Sequence, residues 1–151
     1  MSTTRLCDLE QDILAQHGEI RARMRGLVCQ AIRSPSAWQR RGMEILLLRF
    51  IAIFEAHLAF EERELAPLLR GVDSWGDVRE SELLAEHRDQ RRLVEDVGAL
   101  VDEPGDGTGE ALASAVKALC SHLIEDMIHE EAALVELVRI EAYGHTDQMT
   151  G

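Results

Sequence analysis

A histidine and a glutamate stand four residues apart in the stretch 55–62, inside a long apolar run. Four residues are about one helical turn, so in a helix His57 and Glu61 lie one above the other on a single face. An unpaired ionised carboxylate on a buried face costs several kcal/mol, so Glu61 needs a proton, a partner or a metal ion there. The face is predicted to be buried because apolar residues recur along it at spacings of three and four: Leu47, Phe50, Phe54, Leu65 and Leu68.

The two halves of the chain repeat this chemistry. One motif, Leu-Ala-x-His-x-x-x-Arg, occurs twice at an offset of 70 residues, and a second, His-Leu-x-x-acid, occurs twice at an offset of 65. Each half therefore supplies one histidine from its first helix and a histidine with a carboxylate from its second. If the halves face each other about a pseudo-twofold axis, four imidazoles and two carboxylates surround one centre. These candidate ligands are His17, His57, Glu61, His87, His122 and Asp126.

This set of side chains predicts a metal site. Imidazole and carboxylate ligands together suit iron, manganese or zinc better than calcium or copper(I). Because the pseudo-twofold axis relates the two carboxylates, they are placed to bridge two metal ions, and the four histidines divide as two per ion. With one oxo or hydroxo bridge, each ion has two nitrogen and three oxygen ligands. About one octahedral position per ion then stays open for a small ligand.

Four helices are predicted to position these residues, at about 4–32, 35–67, 78–101 and 110–142. Ser34 is the predicted N-cap of the second helix, with Pro35 at its first position, and Pro67 is predicted to end or bend it. Short connections favour an all-α fold, an antiparallel up-down-up-down four-helix bundle. We expect residues 1–143 to form the bundle and residues 144–151 to form a flexible C-terminal tail.

In the fourth helix, the stripe predicted to face the core runs through His122, Asp126 and His129. His129 is a candidate further ligand or a partner that orients a ligand imidazole, and at the offset of 65 it corresponds to Glu64. Glu86, next to His87, is another candidate ligand. The remaining glutamates near these motifs are expected mostly on solvated faces: Glu62, Glu130 and Glu131.

The amino-acid composition limits the kinds of partner that this chain can bind. The formal charge is -12, so nucleic acid and anionic membrane surfaces are poor partners for this chain. Three cysteines without a C-x-x-C pair indicate reduced thiols. The first residues contain no apolar signal segment, and the apolar run before His57 is interrupted by charges, so we expect a cytoplasmic protein that spans no membrane. The sequence leaves open whether it is a monomer or a homodimer.

The motifs resemble the hemerythrin-like (HHE cation-binding) family over residues 17–137. The resemblance implies a four-helix bundle with a non-haem di-iron centre. Members of that family carry oxygen, sense oxygen, nitric oxide or iron, or handle iron in the repair of damaged iron centres. The implied cofactor is two iron ions, bridged by oxo or hydroxo, and the implied partners are small ligands such as oxygen, nitric oxide or peroxide.

The sequence departs from the oxygen-carrier pattern at two positions. The carriers have a second histidine in the third helix where this chain has Arg91, and their last carboxylate follows its histidine by five residues rather than four, the spacing of Asp126 here. The four-histidine count and the adjacent pair Glu86 and His87 are more similar to the branch that repairs iron centres.

Three functions stay open at this point. The chain is a module that binds or senses a small ligand or the redox or iron state, an enzyme that reduces oxygen, peroxide or nitric oxide, or a protein that donates iron. Without a metal, the same side chains would form a buried polar network. The repetition of a histidine and carboxylate pair in both halves favours the metal site over that network.

Overall fold

The structure, a computed structural model, describes residues 2–33, 37–103 and 109–149. The described residues form helices and contain no strand, so the all-α prediction is confirmed. The predicted capping residues Ser34 and Pro35 lie outside the described residues. The helices are α1 (Ser2–Ile32), α2 (Ala37–Glu64), α3 (Ala66–Leu69), α4 (Gly76–Asp102) and α5 (Glu110–Met149).

The four long helices pack together as a bundle. α1 lies against α2 and α5, and α4 lies against the same two helices. The two halves of the chain therefore meet along two pairs of helices, α1 with α5 and α2 with α4. These contacts place the histidines and carboxylates of one half opposite those of the other.

The ends of α2 and α5 test two of the predicted helix boundaries. α2 ends at Glu64, and α3 then starts at Ala66 with Pro67 in its first turn. Proline suits a first turn because the backbone N–H there has no partner within the helix, so the predicted interruption at Pro67 is confirmed. α5 extends to Met149, beyond the end predicted at Ala142, and most of the predicted tail is helical. The flexibility of that segment stays a prediction.

The apolar core consists of two clusters that flank a polar layer. Along α1, Ile13 belongs to one cluster and Ile20 to the other, with His17 between them. α5 repeats the pattern, because Met127 and Leu134 belong to different clusters on either side of residue 130. The histidines and carboxylates thus lie in a layer with packed apolar side chains above and below. Such surroundings exclude water and strengthen the electrostatic interactions inside the layer.

The buried residues reveal the register of the internal repeat. In α4 they match those of α1 at the predicted offset of 70, as with His17 and His87. In α5 they match those of α2 at an offset of 69, so the predicted offset of 65 is wrong. The matched pairs are Met43 with Leu112, Leu47 with Val116, Phe50 with Leu119, Phe54 with Leu123 and Leu65 with Leu134.

Ion pairs occupy the outer surface of the bundle. Arg23 and Glu19 form an i,i+4 pair on α1, and the guanidinium of Arg70, just after α3, binds the carboxylate of Glu80 on α4. Exposed pairs of this kind each contribute only about 0.2–1 kcal/mol. Among the described residues, no helix is long and apolar enough to cross a membrane.

Gly76, at the start of α4, lies against the backbone that follows α3. A Cβ atom there would overlap the carbonyl oxygen of Leu69 and lie 2.6 Å from that of Arg70. We expect Gly76→Ala to lower the free energy of unfolding by more than about 1 kcal/mol, because backbone must move to admit the methyl group. Urea unfolding followed by circular dichroism measures the change.

The matched control for this prediction is Gly18→Ala. Gly18 is exposed within α1, and an added Cβ there meets nothing within 4 Å. Alanine loses less backbone entropy than glycine on folding into a helix, so this variant should gain roughly 0.5–1 kcal/mol. A Gly76→Ala protein as stable as the Gly18→Ala protein would contradict the close approach of the two backbones.

Candidate metal centre

Four side chains from three helices converge in the polar layer. His17 comes from α1, His57 and Glu61 from α2, and Glu130 from α5. One nitrogen or oxygen atom of each side chain lies within 4.8 Å of those of the other three. The first three residues are at most 5% exposed, and Glu130 is largely buried. Two imidazoles and two carboxylates therefore face one buried point.

Several polar atoms of this group have no hydrogen-bond partner among the described residues. They are both ring nitrogens of His17, Oε2 of Glu61 and Oε1 of Glu130. His17 Nε2 and Glu130 Oε1 lie 2.9 Å apart, yet they are not aligned as donor and acceptor. A buried polar group without a partner costs about 1–3 kcal/mol, and native proteins contain few of them. A cation is a partner that all of these atoms could share.

Gln16 fixes the orientation of the His57 ring. The Nδ1 atom of His57 lies 2.7 Å from the side-chain oxygen of Gln16. An amide oxygen only accepts hydrogen bonds, so Nδ1 donates to Gln16 and Nε2 faces Glu61. The Nε2 atom lies 2.7 Å from Glu61 Oε1. A hydrogen bond on the far nitrogen is the usual way in which proteins orient an imidazole ligand.

An arginine and a glutamate flank His17. Arg21 donates two hydrogen bonds to Glu131, at 2.8 and 2.7 Å. The clamped carboxylate lies 3.7 Å from Nδ1 of His17. Bidentate pairs of this kind have a defined geometry, so Glu131 is positioned rather than free to rotate.

The same arrangement surrounds His87 in the second half. Arg91 donates hydrogen bonds of 2.5 and 3.1 Å to the two carboxylate oxygens of Glu62. Glu62 lies 3.0 Å from Nδ1 of His87. The Nε2 atom of His87 is buried without a hydrogen-bond partner in the described part of the chain and lies 3.7 Å from Glu61 Oε1. The repeated motif Leu-Ala-x-His-x-x-x-Arg thus encodes a histidine and the arginine that fixes its carboxylate partner.

The two central carboxylates have opposite pKa shifts. Burial raises the pKa of Glu61, but the imidazoles of His57 and His87, which face its carboxylate, outweigh burial and hold that pKa well below its usual value. Burial, together with the negative charge of Glu61, raises the pKa of Glu130 far above the ordinary carboxyl range. In the absence of a cation, Glu61 is therefore ionised while Glu130 holds a proton.

The pKa of His17 is also shifted. Burial lowers it, and the charge of His57 lowers it further. His17 is consequently a neutral imidazole at neutral pH, which is the form that binds a metal ion.

The structure does not bring His122 to this centre. Its side chain is 51% exposed, so the core-facing stripe predicted for the last helix is wrong. Asp126 lies at the edge of the centre, where it accepts a hydrogen bond of 3.1 Å from Gln90 and lies 3.4 Å from His122. Asp126 lines a small cavity of about 10 Å³ together with the four converging side chains.

Glu130 is the functional residue that the sequence analysis missed. It was expected on a solvated face, but at the offset of 69 it corresponds to Glu61, and Glu131 corresponds to Glu62. The repeated Glu-Glu pair was the signal that could have revealed it. The other candidates lie outside the four-residue group: His129 is exposed, Glu86 is half-buried, and Glu64 pairs with Arg63.

Two imidazoles and two carboxylates from rigid helices match the ligand preferences of iron, manganese and zinc. The unpaired buried atoms and the neutral imidazole of His17 fit such an ion. Comparison of the chain with protein-family models, with curated proteins and with solved structures finds no match.

We expect Glu130→Gln to stabilise the metal-free protein at neutral pH. The pKa of Glu130 is higher in the folded than in the unfolded chain. The free energy of unfolding therefore falls as pH rises above about 5, because the side chain ionises in the unfolded chain but stays protonated in the folded one. Glutamine cannot ionise, and the variant should gain roughly 1–3 kcal/mol at pH 8. Urea unfolding in the presence of a chelator, repeated between about pH 5 and 8, measures this gain.

Glu61→Gln is the matched control, and its expected sign is opposite. The pKa of Glu61 is lowered by folding, so its ionised form stabilises the protein above the ordinary carboxyl range. Its replacement should therefore destabilise the metal-free protein. If both glutamines destabilise it equally at pH 8, the assignment of the proton to Glu130 is wrong.

Proposed function

We propose that this protein is a non-haem iron protein whose bundle holds iron at His17, His57, Glu61 and Glu130. The observation that carries the proposal is the convergence of these four side chains, with buried donor atoms that have no hydrogen-bond partner among the described residues. Two imidazoles and a pair of carboxylates supply both nitrogen and oxygen ligands. Iron is the metal implied by the resemblance to the hemerythrin-like family.

The proposed centre contains two iron ions that share Glu61 and Glu130. The internal repeat supports two ions, since Glu61 and Glu130 occupy equivalent positions in the two halves. His87, on α4 of the second half, lies 3.7 Å from Glu61 Oε1. Bound iron would supply a redox-active Lewis acid with room for a small ligand. The proposal includes an antiparallel up-down-up-down order of the helices, which the short connections favour.

The proposed role of this centre is to bind or sense a small ligand such as oxygen or nitric oxide. The apolar clusters on both sides exclude water from the polar layer, and the arginine-clamped carboxylates fix the rings of His17 and His87. Such surroundings suit an uncharged diatomic molecule, which enters an apolar site without a loss of hydration. The residues that surround the centre hold and orient ligands rather than transfer protons.

One observation favours a second candidate, an enzyme that reduces oxygen or peroxide. A pocket of about 250 Å³ opens beside Glu130 and is lined by Glu86 and His129. Burial, with the nearby charge of Asp126, raises the pKa of Glu86. A carboxyl group with a raised pKa, beside a pocket that reaches the centre, is suited to deliver protons for such a reaction.

Metal analysis of purified variants tests the proposed centre. After expression in iron-rich medium, we expect wild-type protein to contain iron, and His57→Ala and Glu130→Ala to lose most of it, because each removes a ligand. His122→Ala is the control, since that side chain lies outside the centre, and it should keep its iron. A metal-free wild-type protein, or iron loss from the His122 variant alone, would overturn the proposal.

Reaction of the reduced protein with oxygen separates the two functions. Stopped-flow spectra that show a stable adduct support a binding or sensing role, because the ligand stays on the centre. Continuous consumption of oxygen, measured with an electrode and a reductant, supports the enzyme. Replacement of Glu86 by glutamine should slow only the consumption, since the adduct requires no proton donor.

A further inference from the structure

The second half of the repeat departs from the first in its ligands. At the offset of 69, Asp126 occupies the position of His57. At the offset of 70, Gln90 occupies the position of Ile20. The arginine clamps and the central glutamates are retained in both halves, whereas Glu86 takes the position of Gln16, so the changes fall at one ligand position and at two positions beside it.

The residues at positions 126 and 90 are chemically complementary. In the first half, Nδ1–H of His57 donates to the side-chain oxygen of Gln16. In the second half, the amide nitrogen of Gln90 donates to Asp126 Oδ2. An imidazole is therefore oriented by an amide acceptor, and a carboxylate by an amide donor. Because Gln90 is 7% exposed, its hydrogen bond holds Asp126 at the edge of the buried layer rather than in solvent.

Polar atoms in this half also face inward without partners. His87 is 1% exposed, and its Nε2 atom has no hydrogen-bond partner in the described ranges, nor does Oε1 of Gln90. Asp126 lies one helical turn before Glu130 on α5 and lines the same small cavity as Glu61 and Glu130. One imidazole and one carboxylate of the second half therefore adjoin the central glutamates: His87 Nε2 lies 3.7 Å from Glu61 Oε1, and Asp126 lines the cavity beside Glu61 and Glu130.

We propose that the two metal positions are unequal and that the second, formed by His87 and Asp126 with the shared Glu61 and Glu130, selects a harder cation. The proposal rests on the proposed metal centre and specifies which ions it takes. The first position has two imidazoles, His17 and His57, and favours ions that bind nitrogen well. The second has a single imidazole among oxygen ligands, a set that suits manganese(II) better than zinc.

Unequal positions lead to ordered loading. Zinc, which binds imidazole strongly, should fill the first position well before the second. Loss of even an outer partner of a ligand changes metal affinity by about 10- to 100-fold, so exchange of an imidazole for a carboxylate should separate the two zinc affinities by at least roughly tenfold. With both ions present, the principal species should hold one zinc and one manganese per chain.

Titration of metal-free protein tests this directly. Isothermal calorimetry with zinc should resolve a tight and a weaker ion, and native mass spectrometry of protein given zinc and manganese together should show the mixed species. Electron paramagnetic resonance of zinc-loaded protein should detect bound manganese(II). Two zinc ions of equal affinity, or a single ion and no manganese, would overturn the inference while leaving the first position intact. Absence of any metal binding would instead overturn the proposed function.

Substitution of the distinguishing residue supplies the second test. Asp126→His makes the two halves alike, and it should raise the second zinc affinity towards the first and displace manganese from the mixed species. Glu125→His instead places an imidazole at the neighbouring, exposed position of α5, and it should change neither affinity. An unchanged second zinc affinity in Asp126→His would assign Asp126 to its hydrogen bond with Gln90 alone and overturn the inference.

Discussion

The burial of two carboxylates side by side is the constraint on which this structure depends. Glu61 and Glu130 meet between two apolar clusters, where neither ion is well solvated and each opposes the ionisation of the other. His57 on α2 and His87 on α4 stabilise the charge of Glu61, while Glu130 holds a proton. A divalent cation between the two carboxylates would neutralise both charges and release that proton. Without a cation, ionisation of both carboxylates would destabilise the folded chain.

The rest of the polar layer orients the ligands. Glu62 and Glu131 follow the central glutamates directly in sequence and lie at the rim, where an arginine clamps each of them. The motif containing the arginine also contains the histidine, four residues earlier, so one helical turn positions the ligand and the residue that fixes its partner. This coupling explains why the motif is repeated as a unit in both halves.

The symmetry of these clamps contrasts with the asymmetry of the ligands. His57 and Asp126 occupy matching positions, yet one is an imidazole and the other a carboxylate, and a different amide orients each. A duplicated hairpin can therefore keep a common scaffold while the two sides of its centre acquire different chemistry. The pocket beside Glu130 is lined by Glu86 and His129, two further residues of the second half.

The sequence by itself determined the helices and the inward direction of His17, His57, Glu61 and His87, because an unbroken apolar stripe runs through each of these positions. In α5, as in α2, apolar side chains occur on several faces, and Ile124, Ile128 and Val135 of α5 are exposed. Two stripes there satisfy the helical period, one with His122 and one with Glu130. Only packing of α5 against α1 and α4 decided between them, because burial of an apolar face depends on neighbouring helices as well as on local sequence.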